Sequence, residues 1–185
     1  PFDLWGELLR QPRALGVDED DDILVSFRGD DRSGTINDIP ARMQEIDEET
    51  GHTFFQVIFP LDGYLETERG PSGIFVQSDD DILVTLFGQP AVILFLVDRH
   101  GDVFDDEVVS AGSNFDGHEE GNGPNFVEPN DVVRNGGLIY VLDEGVPGLF
   151  EVDADDGDRR YRSTNSVGVG PMWQQPRALA LGRVV

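Results

Sequence analysis

The chain has 185 residues, of which 37 are Asp or Glu and 13 are Arg, with no lysine and a formal net charge of −24. That balance excludes wrapping DNA and electrostatic docking on anionic lipid, both of which need clustered Lys and Arg. The missing lysine excludes a Walker A loop and a Schiff base, and the missing cysteine excludes disulfides, thiol nucleophiles and thiolate metal sites.

Residues 2–10 place Leu4 with Leu8 and Trp5 with Leu9 at i,i+4 spacing, which predicts a short amphipathic helix. A strand is expected at 23–28. Asn37 or Asp38 caps a second short helix, with Pro40 in its first turn and Met43 and Ile46 on its inner face. Further strands are expected at 53–59, 73–77, 82–87, 91–97, 138–142, 149–152, 159–162 and 178–184. Each is a short apolar or alternating run, rich in β-branched and aromatic residues and bounded by turn residues. Gly88-Gln89-Pro90 and Asp155-Asp156-Gly157-Asp158 read as hairpin tips. The expectation is a single all-β domain over 1–185. Its architecture is an antiparallel β-sandwich or jelly roll of eight to nine strands with one or two short helices.

Three segments stand apart. The run Ala91-Val92-Ile93-Leu94-Phe95-Leu96-Val97 does not alternate, so both of its faces must be covered. The cover is either the chain's own helix or loop, or a second molecule. The Gly- and Asn-rich stretch 110–137 has little strand pattern and is expected to lie over this molecule or a neighbour. Two sequence echoes also occur. Asp20-Asp21-Asp22-Ile23-Leu24-Val25-Ser26 returns as Asp79-Asp80-Asp81-Ile82-Leu83-Val84-Thr85, and Gln11-Pro12-Arg13-Ala14-Leu15 returns as Gln175-Pro176-Arg177-Ala178-Leu179. Their spacings differ, which favours convergent strand entries over a repeat.

Signatures of catalysis are few. There is no Gly-x-Ser-x-Gly elbow, and His52, His100 and His118 stand in polar surroundings without ligand spacing, as solvated loop residues would. Asp153–Asp158 fails the calcium-loop register, since Gly157 falls at position 5 and Asp158 at position 6. Neither an enzyme, a cofactor nor a metal site is expected.

The charge itself is informative. In dilute buffer it would repel the chain out of its compact state. At molar salt the Debye length falls to about 3 Å and exposed charges stop feeling one another. Arginine survives because its fork makes paired contacts that lysine cannot. The 38% apolar content and the 12 Phe exclude disorder. This is the composition of a protein working in near-saturated salt. With no signal peptide or long apolar span, and with Pro1 read as a mature start, a soluble, unsecreted product is expected.

An all-β chain of this length, free of Lys and Cys and starting at Pro1, resembles the small major capsid proteins of tailless icosahedral, membrane-containing viruses of haloarchaea. The resemblance implies an upright jelly roll in the virion shell, assembled in the host cytoplasm. It implies partners too: copies of itself and a larger companion capsid protein, in pseudo-hexameric capsomers over an internal lipid membrane, without direct nucleic-acid binding. The subunit interface is then expected at Leu4, Trp5 and Leu8, at Val92, Leu94 and Leu96, and at Met172 and Trp173. The alternative is a halophilic β-sandwich binding or carbohydrate-active module. The run Gly137-Leu138-Ile139-Tyr140-Val141-Leu142-Asp143, followed by Gly148-Leu149-Phe150-Glu151-Val152-Asp153, has the cadence of a propeller blade.

Overall fold

The computed structural model describes residues 12–17, 21–27, 42–47, 49–58, 70–78, 81–86, 88–97, 103–115, 117–166 and 176–180. Among these residues the fold is all-β, with twelve antiparallel strands and no helix. The strands are β1 (Pro12–Val17), β2 (Ile23–Phe27), β3 (Arg42–Ile46), β4 (Thr53–Ile58), β5 (Pro71–Ser78), β6 (Asp81–Leu86), β7 (Ala91–Val97), β8 (Val103–Ala111), β9 (Pro129–Asn135), β10 (Leu138–Asp143), β11 (Gly148–Asp153) and β12 (Arg159–Thr164). They form three four-stranded sheets, ordered β1-β2-β3-β4, β5-β6-β7-β8 and β9-β10-β11-β12.

The all-β, antiparallel, sandwich-like class is as expected, but the strands number twelve in three sheets rather than eight to nine. Every sheet is a meander in which sequence neighbours pair, whereas a jelly roll returns distant strands beside one another through Greek keys. Met43 and Ile46, expected on a helix, lie in β3, where Met43 pairs with Val57 of β4. The segment resists recognition as a strand because Arg42, Met43 and Gln44 are its buried residues, and polar residues at inward positions break the apolar alternation. The hairpin tips at 88–90 and 155–158 are present, the first closed by Gln89 N–H donating to Leu86 O at 3.1 Å. The predicted helix 2–10 and the cap at Asn37 or Asp38 lie outside the described residues. Of the predicted strand 178–184, residues 178–180 are described and are not in a strand.

The middle sheet is buried on both faces. Side chains alternate along a strand. Ile82, Val84 and Leu86 of β6, with Ala91, Ile93 and Phe95 of β7, therefore meet Leu24 and Met43 of the first sheet. On the opposite face Leu83 and Val92 meet Val132, Ile139, Val141, Phe150 and Val152 of the third sheet, with Phe126. The unbroken apolar run in β7 thus has a cover supplied by the chain itself. The flanking sheets alternate as one-sided sheets should. Leu24 and Ser26 are buried while Ile23 and Val25 are half-exposed, and Ile139 and Val141 are buried while Leu138 and Tyr140 are half-exposed. Each large apolar side chain so enclosed contributes about 1.5–3 kcal/mol.

The sheets do not stack flat. Every substantial contact between them involves β5 or β9: β5 lies against β1 on one side and β9 on the other. Gly73 permits the second approach, since a Cβ there would stand 2.5 Å from the Asp131 Cα. From this line of first strands the sheets fan outward.

The fan is periodic. Each first strand begins with proline, at Pro12, Pro71 and Pro129, separated by 59 and 58 residues. Both halves of the Asp-Asp-Asp-Ile-Leu echo fall at the second strand of a sheet, β2 and β6. The echo therefore marks equivalent places in consecutive units, and the reading as convergent strand entries is corrected. Pro176, which opens the described segment 176–180, leads the other echo. That segment adjoins β9: Leu179 N–H donates to Asp131 Oδ2 at 2.6 Å.

Candidate functional site

Where the first strands converge they leave a cleft of about 630 Å³, walled by β1, β5, β9 and residues 177–179. Its apolar lining includes Leu15, Ile74, Phe75 and Val133, and its polar lining is Arg13, Ser72, Asp131 and Arg177. Arg13 and Ser72 follow the leading prolines of β1 and β5, and Arg177 follows Pro176 in a segment that forms no strand. In β9 the register shifts opposite Leu142 and Asp143, and Asp131 takes the corresponding place in the wall.

Hydroxyls join the units beside the cleft. Ser26 Oγ accepts Ala14 N–H at 3.0 Å and donates to Pro71 O at 3.2 Å. Ser72 Oγ lies 3.0 Å from Pro129 O, 3.1 Å from Thr85 O and 3.0 Å from Thr85 Oγ1. Asp131 continues the series: its Oδ1 accepts Val132 N–H at 3.0 Å, and its Oδ2 accepts Leu179 N–H. Burial pushes the Asp131 carboxyl above its ordinary value, opposed by these two N–H donors. Arg177 Nη2 stands 3.6 Å from Glu144 Oε1, which ties the guanidinium to the far side of β10.

A second polar centre organises the stretch between β8 and β9, which lies over this molecule as one of the two expectations for it held. Arg159, 6% exposed, donates to Glu120 O at 2.6 Å, Ser110 Oγ at 2.9 Å and Pro124 O at 3.0 Å. Its guanidinium carbon sits 5.6 Å from the centre of the Phe126 ring. Burial pulls its pKa below the usual guanidinium value, partly offset by the Asp158 charge. Asp158 Oδ1 accepts Asn122 N–H at 2.6 Å and Asn122 Nδ2 at 2.9 Å, which hold its carboxyl below the ordinary value. Gly121, at φ +72°, presses on the Gly157 carbonyl, a place open only to glycine. Asp143, fully buried, accepts Val127 N–H at 2.8 Å, Glu128 N–H at 3.1 Å and Val146 N–H at 2.8 Å. These carboxylates and this arginine fasten a loop, a role that consumes their hydrogen-bonding capacity.

Of the expected interface residues, Val92 is fully buried between the middle and third sheets, and Leu94 packs partly buried against the same cluster. Leu96 is half-buried in β7. Leu4, Trp5, Leu8, Met172 and Trp173 lie outside the described residues. His52 and His118 are exposed, and His100 lies outside the described residues. The acidic tip after β11 folds its carboxylates on its own backbone: Asp155 N–H donates to Asp153 Oδ1 and Asp158 N–H to Asp156 Oδ1, each at 3.0 Å. Among the described residues no group of three or more His, Asp or Glu is placed to hold a metal, and no helix is long and apolar enough to cross a membrane. The cleft was not foreseen. The signal that could have found it was the proline period together with the repeated Pro-Arg pair.

No family model matches this chain, and no curated protein does. Among solved structures, it is similar to an auxiliary nutrient binding protein from Bacteroides thetaiotaomicron VPI-5482, with a TM-score of 0.52 at 9% identity over 82% of this chain and 36% of that one. A protein of unknown function from Bacteroides caccae aligns at a TM-score of 0.46 and 14% identity, over 83% of this chain and 46% of that one. BamB from Moraxella catarrhalis aligns at 0.39 and 13%, over 80% and 36%. The chain therefore spans less than half the length of each, and what it shares with the first is the fold.

Proposed function

We propose that this chain is an arc of a propeller-like binding module for concentrated salt, taking a small polar solute in the cleft between its first strands. One observation carries the reading: three equivalent meander sheets fan from adjacent first strands, and residues 177–179, which form no strand, complete the same wall. Radial repetition of four-stranded blades around a channel is the propeller arrangement, and the channel is where such folds expose a concave surface. The binding role rests on the cleft and its convergent polar groups, because fold alone does not assign function.

The capsid resemblance stands on composition, length and strand content. The meander order favours blades over the Greek-key jelly roll that the capsid reading requires. Small-angle scattering in molar KCl separates the two. A monomer or small oligomer is the expected result. Large regular assemblies, formed alone or with a larger companion protein, would overturn the binding-module reading in favour of the shell.

A further inference from the structure

We infer that the cleft takes a small oxyanion, a carboxylate- or phosphate-bearing solute, gripped between Arg13 and Arg177. This deepens the binding-module reading and rests on it.

The charge distribution points this way first. A chain with 13 arginines and a net charge of −24 places two of those arginines in the wall of one cleft. They occupy the same place in the Gln-Pro-Arg-Ala-Leu echo and reach the cleft from two different segments, β1 and residues 176–180.

Asp131, the one carboxylate among the described residues of that wall, does not compete as a cation site. Both of its oxygens are engaged by backbone N–H groups, from Val132 and Leu179. Burial also disfavours its charged form. The arginines differ in capacity. A guanidinium carries five N–H donors, so the single 3.6 Å contact of Arg177 with Glu144 orients the group without exhausting it.

Salt then selects the residue type. With a Debye length of about 3 Å at 1 M, long-range attraction cannot draw a ligand in. Recognition must come from contact, and the paired donors of an arginine fork match a carboxylate or phosphate edge at hydrogen-bond distance.

The test is isothermal titration calorimetry in molar KCl with three probes: citrate, inorganic phosphate and glucose. It is run on the full chain and on Arg13→Gln, Arg177→Gln and Arg162→Gln, the last on the outer face of the third sheet. Thermal melts confirm that each variant is folded. Citrate or phosphate should bind, and each cleft variant should weaken binding by roughly tenfold or more, as loss of a charge-assisted pair does. Arg162→Gln should leave it unchanged. Citrate without phosphate assigns a carboxylate, and the reverse a phosphate. Binding of glucose alone, insensitive to Arg13 and Arg177, would overturn the anion assignment and leave the binding module standing. Equal loss in Arg162→Gln, or no binding of citrate or phosphate, would overturn the inference outright.

Discussion

Ser26 and Pro71, 45 residues apart, join the first sheet to the middle one through a single hydroxyl that accepts Ala14 N–H and donates to the Pro71 carbonyl. Ser72, in a first strand rather than a second, likewise bonds the leading proline carbonyl of the next sheet, at Pro129. Both serines are buried, so removing either hydroxyl strands backbone groups away from water. Ser26→Ala and Ser72→Ala are each expected to destabilise the fold by about 1–3 kcal/mol, the cost of a buried unsatisfied group. Denaturant titration in molar salt checks this. A loss near zero for both would mean that the sheets are held by apolar packing alone.

Gly73 makes a sharper case, because what it touches is backbone. A methyl there would meet the Asp131 Cα at 2.5 Å and Thr85 Oγ1 at 2.8 Å, so β5 and β9 must separate. Gly73→Ala should cost about 1–3 kcal/mol, as overpacking does. It should also loosen the cleft wall, which amide hydrogen exchange along β9 would report as faster exchange. Unchanged exchange and stability would refute the close approach.

The loop fastened by Arg159 predicts a different kind of loss. Arg159→Met keeps the bulk against Phe126 and removes the donors serving Ser110, Glu120 and Pro124. Leaving such buried acceptors unpaired costs about 1–3 kcal/mol each, discounted where water can reach them. The expected signature is faster hydrogen exchange confined to residues 112–126 together with a lowered unfolding midpoint. A uniform change across the chain would show that Arg159 acts on the core rather than on the loop.

Legibility in the sequence followed the side chains. β6, β7, β10 and β11 were readable because β-branched and aromatic runs bounded by Gly, Asp and Pro leave little choice. β3 was not, because Arg42 and Gln44 are buried there and a local pattern cannot reveal which polar residues tertiary contacts will enclose. β1 and β9 were hidden by short apolar content, and their leading prolines read as breakers although the first residue of a strand tolerates proline. Two-sided burial of residues 91–97 was legible, but its source was not, since that depends on sheets formed by residues 67 positions before Ala91 and 48 after it, at Leu24 and Ile139. The cleft needed the period: Pro12, Pro71 and Pro129 were visible as letters, but their equivalence appears only once they stand side by side.

Two aspartates should titrate on opposite sides of the ordinary aspartate value. Asp158, lowered by its bonds from Asn122, contributes stability that is present above its unfolded pKa and lost as pH falls through the lower folded value. Asp131, raised by burial, behaves in reverse: its contribution is full below the unfolded pKa and lost as pH rises through the higher folded value. Carboxyl-carbon NMR titration in molar salt should place the Asp158 midpoint below, and the Asp131 midpoint above, the ordinary aspartate value. Coincident midpoints would mean that neither environment persists in solution. In Leu179→Pro, which deletes the N–H donor to Asp131, the Asp131 midpoint should rise further.

Salt dependence follows from crowding that the fold imposes on like charges. Glu107, Glu120, Asp155 and Asp156 line a small cavity of about 120 Å³ with Arg134 as the one cation among the described residues that line it, and Arg134 also donates to Gln77. At molar salt the Debye length of about 3 Å screens these carboxylates, and salts excluded from the surface reinforce the apolar packing on both faces of the middle sheet. At 0.01 M the length grows to about 30 Å, so the carboxylates of the cluster repel one another and more distant acids among the 37 of the chain. The unfolding midpoint, followed by circular dichroism during dialysis against decreasing NaCl, should therefore fall steeply at neutral pH. Mildly acidic pH should restore part of it, because protonating some carboxylates lowers the repulsion that salt no longer screens. Glu107→Gln combined with Asp156→Asn should shift the salt requirement downward, since it removes two of the four carboxylates named without touching the cores. A midpoint indifferent to salt at neutral pH would show that the packed sheets outweigh the repulsion, and the electrostatic account of this composition would fall with it.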